Sequence, residues 1–386
     1  MDCLWSRRGF LSALASTTGA SAAAPDKKLV TAPSELRWFR DPATEFELLR
    51  LTDTAKSAAV LPPSPNRIVT RGGGLIYCSD RSGSMQVWRM DMRNAKSGQS
   101  QQLTHAESLE TSAVTLLSDE RRLVYVDGNA LVLLNRRPET VYTVESGWTF
   151  AGNLSVSDDG STAALSESRA GRYRLRVVGL KRGGSVATPF EASEPLRYCR
   201  LRPKRSGLLY NHNGVLTLVN SDGRGSKQLA VAGGKAGFAI WSMNGRTVFY
   251  LTVPVARENV QLREHNPETS EDKLIANTTQ FISFAVNADG SVFAGISGSK
   301  AAPYVLLLVR AGRRELTLAE HKASVADRAT VAFSVNSQRL FYGTDREGKP
   351  AIYSIGMEKF VEDTISPDTW DDEDEKKSKK KKKTAR

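Results

Sequence analysis

The stretch "SFAVNADGSVFAGI", residues 283–296, decides the fold of this chain. Two short apolar segments flank the polar turn "NADG", a pattern typical of two antiparallel strands joined by a tight connection. The same arrangement returns as "NLSVSDDGSTAALS" (153–166) and "FAIWSMNGRTVFYL" (238–251). A pair of short strands therefore recurs along the chain.

Weaker copies of this strand pair fill the gaps between the clear ones. They are "RIVTRGGGLIYCSD" (67–80), "AVTLLSDERRLVYV" (113–126), "YCRLRPKRSGLLYN" (198–211) and "TVAFSVNSQRLFYG" (330–343). The residues that restart the second strand are Leu75, Leu123, Ala163, Leu208, Val248, Val292 and Leu340. Their spacing of roughly 40 to 48 residues is the period expected for the blades of a β-propeller.

Each repeat also contains a third and a fourth strand. In the first repeat "LIYCS" (75–79) is followed by "QVWRMDM" (86–92) and "SQQLT" (100–104). Between Thr31 and Ile365 the chain has no sustained helical periodicity. The sequence therefore predicts an all-β fold, a seven-bladed β-propeller of four-stranded antiparallel blades over residues 40–362.

One segment before the first repeat resembles a fourth strand. "FELLRLTD" (46–53) is expected to complete the last blade, whose own final strand is "AIYSI" (351–355), and so to leave no open sheet edge. The competing candidate for that place is "KFVED" (359–363), which follows directly.

The N-terminus has the pattern of an export signal. Arg7 and Arg8 precede Gly9-Phe10-Leu11, and an apolar run of six residues ends before Ala20-Ser21-Ala22. Paired arginines with these neighbours are typical of twin-arginine export, although Ser12 stands where Lys is common. We predict a signal peptide over residues 1–22, a linker over 23–39, and a periplasmic or secreted protein; the alternative is an amphipathic N-terminal helix.

Basic residues outnumber acidic residues throughout the chain. The formal net charge is +12, of which the signal carries +1 and residues 371–386 carry +3. The remaining charge favours acidic partners, such as uronic-acid sugars, lipopolysaccharide or anionic lipid, over nucleic acid for an exported protein. The Lys-rich segment 363–386 is predicted to be a disordered tail, either an electrostatic tether or a solubilising segment.

Cysteine usage excludes a disulfide-dense scaffold. Cys3 lies in the predicted signal, and Cys78 and Cys199 are far apart in sequence without a CxxC spacing. We expect these two to be buried free thiols.

The first repeat resembles the TolB-type, WD-like propeller repeat. The matching residues are "CSDRSGSMQVWRMDM" (78–92) and the following "SQQLT". Many unrelated propellers share this repeat, so the resemblance implies the fold and leaves open a protein-interaction platform without catalysis.

A narrower resemblance is to the oligogalacturonate lyases. It is carried by "RPKRSGLLYNHNG" (202–214), "GFAIWSMNGRTVFYL" (237–251) and "RLFYGTDREGKPAIYSI" (339–355), in the family's order and spacing. The resemblance implies β-elimination of short galacturonate oligomers. In that family a divalent metal, typically manganese, held by three His and one Gln at the channel mouth, neutralises the uronate carboxylate while a basic side chain removes the adjacent proton.

This sequence departs from the family at the positions that hold the metal. Those positions fall on Phe238, Val325, Arg328 and Thr330. The chain has only four histidines, His105, His212, His265 and His321, each in a different repeat. Because a site built from three His is not expected here, we predict no cofactor. Manganese is expected only if the protein is an active lyase.

Among the remaining candidates, Arg328, His212 and Tyr198 are expected to meet at one end of the channel. Arg328 can bind a uronate carboxylate in bidentate fashion. Tyr198 stands where the family has a His, and Arg200 is a further substrate-binding candidate. His212 is retained from the family's His-Glu-Gly turn and is the only catalytic candidate. Trp148 is either a sugar-stacking platform or packing between blades.

These residues predict a lyase-like propeller that binds acidic oligosaccharides without a metal site. One alternative is a TolB-like protein-interaction propeller, and a more distant one is an active lyase with an altered site. Whether the chain catalyses any reaction is left open by the sequence.

Overall fold

The structure is a computed structural model that describes residues 30–92, 98–253, 259–278, 280–362 and 364. The predicted signal and nearly all of the predicted tail lie outside these residues. The described parts form 31 strands and one short 3₁₀ helix, Ala326–Arg328. They contain no helix with the length and apolarity needed to cross a membrane.

The strands fall into seven antiparallel sheets, which we call blades 1 to 7. The N-terminal segment contributes β1 (Thr31–Ala32), β2 (Arg37–Arg40) and β3 (Glu47–Arg50). Blade 1 contains β4 (Ala59–Val60), β5 (Gly74–Ser79), β6 (Gln86–Asp91) and β7 (Ser100–Gln102). Blade 2 contains β8 (Leu109–Leu116), β9 (Leu123–Asp127), β10 (Ala130–Asn135) and β11 (Arg137–Thr143). Blade 3 contains β12 (Thr149–Phe150), β13 (Ser155–Val156), β14 (Thr162–Arg169), β15 (Arg172–Gly179) and β16 (Val186–Ala192).

The other four blades follow in the same order. Blade 4 contains β17 (Leu196–Leu201), β18 (Leu208–His212), β19 (Val215–Val219) and β20 (Lys227–Gln228). Blade 5 contains β21 (Ala236–Trp241), β22 (Val248–Thr252), β23 (Gln261–His265) and β24 (Asp272–Asn277). Blade 6 contains β25 (Phe281–Val286), β26 (Val292–Ser297), β27 (Tyr304–Val309) and β28 (Arg314–Glu320). Blade 7 contains β29 (Thr330–Phe333), β30 (Arg339–Thr344) and β31 (Ala351–Gly356), to which β3 and β2 are added.

The first strand of each blade is the innermost one. First strands of neighbouring blades contact each other: β17 contacts β21, and β21 contacts β25. These strands therefore line a central channel. The core lies between blades, where one apolar cluster joins blades 2 and 3 and another joins blades 6 and 7. The prediction of a seven-bladed propeller is confirmed.

The ring has two faces. We call the face at which the innermost strands begin the top face, and the face at which they end the bottom face. The top face therefore carries the connections between blades, such as residues 321–329, and the bottom face carries the first hairpin turn of each blade, such as residues 287–291.

The N-terminal strand closes the ring, as the sequence predicted. β3 pairs with β31, with Leu48 opposite Ile355 and Arg50 opposite Tyr353. β2 then pairs with β3 as a fifth strand. The competing segment "KFVED" forms no strand in its described residues, 359–362.

Two buried ion pairs fasten the N-terminal segment to the top face. Arg346 Nη1 lies 3.0 Å from Asp41 Oδ2, and Arg81 Nη2 lies 2.6 Å from Glu35 Oε1. Both arginines belong to Asp-Arg turns of the repeat, in blades 7 and 1. Part of the segment expected as a linker, 23–39, is thus held to the ring and also supplies β1, which pairs with β7.

Cys78 and Cys199 are both buried and free. Burial raises the pKa of the Cys199 thiol to about 12. These thiols are therefore packing groups rather than reactive ones at neutral pH.

Candidate functional site

The top mouth of the channel is shaped by irregular strand pairing. In blades 4, 5 and 6 the innermost strand shifts register against the second strand close to its start. In blade 4 the shift falls between Arg197 and Arg200, and Tyr198 takes a φ of 54°. The left-handed region is unfavourable for an aromatic residue, and bulges of this kind re-aim side chains beside functional sites. The backbone strain at Tyr198 therefore makes this mouth a candidate site.

A row of aromatic rings runs from this mouth in blade 4 into the buried core of blade 6. The Tyr198 and Phe238 ring centroids lie 5.1 Å apart, and Phe238 lies 5.1 Å from Phe284, both edge to face. Edge-to-face contact at this distance is a favourable aromatic geometry. Phe238, one of the four positions compared with the family's metal ligands, is thus packed within an aromatic row.

Tyr198 and the 3₁₀ helix Ala326–Arg328 share the top mouth. The pKa of the Tyr198 phenol is raised chiefly by burial, while Arg197 lowers it and Asp327 raises it. Tyr198 stands near the start of β17, and the 3₁₀ helix lies in the connection that enters blade 7, so both belong to the top face. Since its pKa is raised, Tyr198 keeps its proton at neutral pH and can donate a hydrogen bond.

Arg328 is exposed at the end of this 3₁₀ helix. Among the described residues, no hydrogen bond or ion pair engages its guanidinium group. Burial opposes the ionisation of nearby Asp345, but hydrogen bonds from Ser324 and the charge of Arg328 lower its pKa. Asp345 is itself bound by Ser324, whose backbone N lies 2.8 Å from Asp345 Oδ1. Arg328 is thus available to an anionic ligand.

The other two positions compared with metal ligands have different environments. Val325 is exposed, with 45% of its surface accessible. Thr330 Oγ1 donates to the Leu61 carbonyl oxygen at 3.2 Å and so joins blade 7 to blade 1.

Arg200 lies inside the wall of the channel rather than at the top mouth. Its Nη1 donates to the Leu154 carbonyl oxygen at 3.1 Å and to the Cys199 carbonyl oxygen at 3.4 Å. Burial lowers the pKa of Arg200 to about 10. Its side chain lines a small cavity with Leu154 and Trp241, below the mouth that holds Tyr198.

His212 lies on the top face but one strand outward from the channel. It is the last residue of β18, opposite Leu196 of the innermost strand, and its ring meets Phe190 of blade 3 at 5.7 Å. Its Nε2 atom is buried and has no hydrogen-bond partner among the described residues. The structure therefore places the catalytic candidate between blades 3 and 4.

Trp148 packs between blades 2 and 3. Only 4% of its surface is exposed. The guanidinium carbons of Arg174 and Arg169 lie 3.9 and 4.7 Å from its ring centroid. Because arginines occupy this ring, it offers no open platform for a sugar in this structure.

The residues at the top mouth do not fit a manganese ion. Phe238, Val325 and Arg328 supply a phenyl, an isopropyl and a guanidinium group, none of which is a metal ligand. The other histidines have separate partners: His105 meets Gln102 at 3.2 Å, His265 meets Asp272 at 3.3 Å, and His321 meets the Ser297 carbonyl at 3.0 Å. Within the described ranges, no three His, Cys, Asp or Glu side chains cluster as a metal site would require.

The bottom mouth holds a cavity of about 440 Å³ that sequence reasoning did not anticipate. All seven blades contribute to its lining, which is mainly apolar. The apolar part includes Ile68, Leu116, Ile240, Trp241, Met243, Ala285, Val286, Ala332, Phe333 and Val335. Two ion pairs lie among its charged residues: Arg67 contacts Asp158, and Arg71 Nε lies 3.9 Å from Glu120 Oε1. The two ends of one channel thus present different surfaces.

Solved structures resemble this ring closely. An oligogalacturonate lyase in complex with manganese aligns with a TM-score of 0.78 and 20% identity, covering 85% of this chain and 97% of that one. An oligogalacturonate lyase from Vibrio parahaemolyticus aligns with a TM-score of 0.77 and 20% identity, covering 86% and 99%. This chain has the fold of the oligogalacturonate lyases. TolB from Acinetobacter baumannii aligns less closely, with a TM-score of 0.47 and 11% identity over 75% of this chain and 79% of its own.

No family model matches this chain, and no curated protein matches it in sequence. At 20% identity the structural likeness establishes the architecture alone. What the chain does must therefore be argued from the two mouths of its channel.

Proposed function

We propose that this protein binds short acidic oligosaccharides of the uronate class at the top mouth and grips their carboxylates with arginine rather than with a metal ion. The observation that carries the proposal is the exposed guanidinium group of Arg328, which lies at the same mouth as the ring of Tyr198. The likeness to oligogalacturonate lyases and the formal net charge of +12 are consistent with an acidic sugar ligand.

The chemistry of this mouth suits an anionic sugar. A guanidinium group binds a carboxylate through two parallel hydrogen bonds and remains charged at every physiological pH. Tyr198 and Phe238 add an apolar surface at the same mouth, and the protonated hydroxyl of Tyr198 can bond to a sugar hydroxyl. Arg197, which is also exposed, adds a second positive charge.

Binding is better supported than turnover. Elimination needs a base close to the proton that is removed. Arginine is poorly suited to this role because its guanidinium group is already protonated at neutral pH and has no free lone pair to accept a proton. His212, the retained family histidine, meets Phe190 one strand away from the channel. We therefore propose a lyase-like binding protein that performs no metal-dependent elimination.

Calorimetry of the full chain with trigalacturonate tests the proposal. We expect binding to the wild type and a loss of affinity of at least about tenfold in R328A, since hydrogen bonds to charged groups contribute roughly 1.5–3 kcal/mol. The matched control is R182A, which removes an exposed arginine from an outer turn of blade 3 and should leave the affinity unchanged. Absence of binding, or equal affinity of wild type and R328A, would contradict the proposal.

A second assay separates binding from catalysis. Incubation with oligogalacturonate, with and without manganese, should release no unsaturated uronate. Product that depends on manganese would show that the chain is an active lyase with an altered site.

We also propose that the protein is exported by the twin-arginine route to the periplasm or beyond. The support is the Arg7-Arg8 pair and the small residues at 20–22. Fractionation of cells expressing the full chain should find it outside the cytoplasm, and replacing both arginines with lysine should retain it inside. Equal export of the two forms would overturn this assignment.

A further inference from the structure

The described chain ends on the bottom face, against the first hairpin turn of blade 7. Gln338 Nε2 donates to the Val361 carbonyl oxygen at 2.7 Å. The Thr364 backbone N donates to the Asn336 carbonyl oxygen at 3.2 Å, and its Oγ1 lies 2.9 Å from Ser337 Oγ. These contacts fix the point at which the chain leaves the ring.

That point adjoins the bottom cavity. The Thr364 Oγ1 atom also lies 3.4 Å from the carbonyl oxygen of Val335, and Val335 lines the cavity. The sequence that follows is "ISPDTWDDEDE", residues 365–375, in which Trp370 is the sixth residue after Thr364. Six extended residues span about 20 Å, so this tryptophan can reach an opening whose wall its own chain already contacts.

The cavity favours a large apolar side chain. Its lining is mainly apolar, and Met243 at its edge is 49% exposed. Arg67 and Arg71 already have acidic partners, so these two do not call for an anionic ligand inside. A tryptophan buries 150–250 Å² of mostly apolar surface when it fills such a pocket.

The rim of the bottom mouth complements the residues that follow Trp370. Arg121 and Arg246, in the first hairpin turns of blades 2 and 5, are exposed. No acidic side chain within the described ranges pairs with either of them. Residues 371–375 are all acidic. Exposed charges of this kind contribute little energy but orient a bound segment.

We propose that residues 365–375 dock in the bottom mouth of their own propeller, with Trp370 in the cavity and the acidic run 371–375 across the basic rim. The occupant is thus this chain's own C-terminal segment. The top mouth stays open to its ligand, because the segment binds at the opposite end of the channel.

Disulfide trapping in the full chain tests this placement. In a C3S background, M243C combined with D371C should form an intramolecular disulfide at least about tenfold faster than V253C combined with D371C. Val253 is the matched control because it is similarly exposed, at 43%, but lies on the top face at the end of β22. Cys78 and Cys199 are buried and should not compete.

A further substitution separates docking of the tryptophan from chance collision. W370A should slow formation of the disulfide between positions 243 and 371 at least about fivefold, whereas T369A should leave it unchanged. Equal rates for positions 243 and 253, or a rate that W370A does not alter, would overturn the proposal. Disulfides found only between two chains would also overturn it, since they would make a second copy the occupant.

Fluorescence provides a second measurement that does not depend on new cysteines. If Trp370 is buried in the cavity, acrylamide quenching of the wild type and of W370F should be nearly equal. If Trp370 is in solvent, W370F should remove a strongly quenched component, and that result would contradict docking.

Discussion

The two mouths of the channel are built from opposite ends of the same seven strands, yet they differ in kind. At the top, the innermost strands of blades 4 to 6 bulge, an aromatic row lies beside them, and Arg328 is unpaired by any described side chain. At the bottom, the lining is mostly apolar and includes residues of all seven blades. The two mouths therefore suit different ligands, although the same repeat builds both of them.

The two faces also hold different ends of the described chain. The N-terminal segment is fastened to the top face, and the C-terminal end is fastened to the bottom face. The top fastening depends on buried charge, since Asp41 and Arg346 are almost inaccessible. The bottom fastening depends on the neutral hydrogen bonds of Thr364 and Gln338.

The largest expected effect is therefore on the top fastening. D41A leaves Arg346 buried without its partner and should lower the free energy of unfolding by about 3–5 kcal/mol. Urea denaturation measures this. The matched control is E47A, which breaks the exposed pair between Arg40 and Glu47 at 3.7 Å and should cost less than about 1 kcal/mol. A similar cost for both variants would mean that the buried pair does not fasten the N-terminal segment.

A smaller effect is expected from pH, again through the top face. Burial lowers the pKa of His321, with Arg346 lowering it further, while its bond to Ser297 and the charge of Asp345 raise it. The neutral ring accepts a hydrogen bond from the Ala323 backbone N at 3.1 Å, which protonation would break. Because the folded-state pKa is depressed, the contribution of His321 to stability is present above its unfolded pKa of about 6.5 and is lost as pH falls below it.

Urea midpoints measured from pH 8 to pH 5 check this expectation. The wild type should lose more stability over that range than H321N, whose side-chain oxygen can still accept a bond at low pH. Parallel curves for the two proteins would rule out His321 as the titrating group.

The smallest expected effect concerns ligand binding at the top mouth. Y198F removes one neutral hydroxyl and should weaken trigalacturonate binding about threefold, since such a hydrogen bond contributes roughly 0.5–1.5 kcal/mol. The bottom disulfide between positions 243 and 371 should form at an unchanged rate. An effect on that disulfide instead of on the sugar would reverse the roles assigned to the two mouths.

The sequence predicted those features that repeat. Residues such as Leu208 and Val248 mark the second strand of each blade, and the order of strands follows from them. Closure by β3 was also predictable, because residues 46–53 resemble a fourth strand that lacks a blade of its own.

Features that depend on distant partners could not be predicted. Asp41 and Arg346 are 305 residues apart, and nothing local marks them as a pair. Trp148 was open to two interpretations, because the arginines that cover its ring come from β14 and β15. Arg200 was a substrate-binding candidate, but it lies inside the channel wall just past the register shift in β17, which periodicity does not reveal.

Two members of the aromatic row, Tyr198 and Phe238, have a signal in the internal repeats of the chain. Tyr198, Phe238 and Thr330 each stand ten residues before the residue that restarts their second strand. Equivalent positions of different blades meet at one mouth of a propeller. Aligning the repeats against each other therefore places Tyr198 and Phe238 at the same mouth from the sequence alone.

The mixed composition of blade 7 also constrains how the protein is made. Its sheet combines strands from near the two ends of the chain, with Leu48 opposite Ile355. A ribosome synthesises β3 early, but β31 emerges only after some 300 further residues, so the first strand waits without its partner through most of translation. Contacts so distant in sequence slow folding. A chain whose translation stops before β31 would leave β3 without its partner strand. Such an unpaired sheet edge favours aggregation and exposes the incomplete chain to proteolysis.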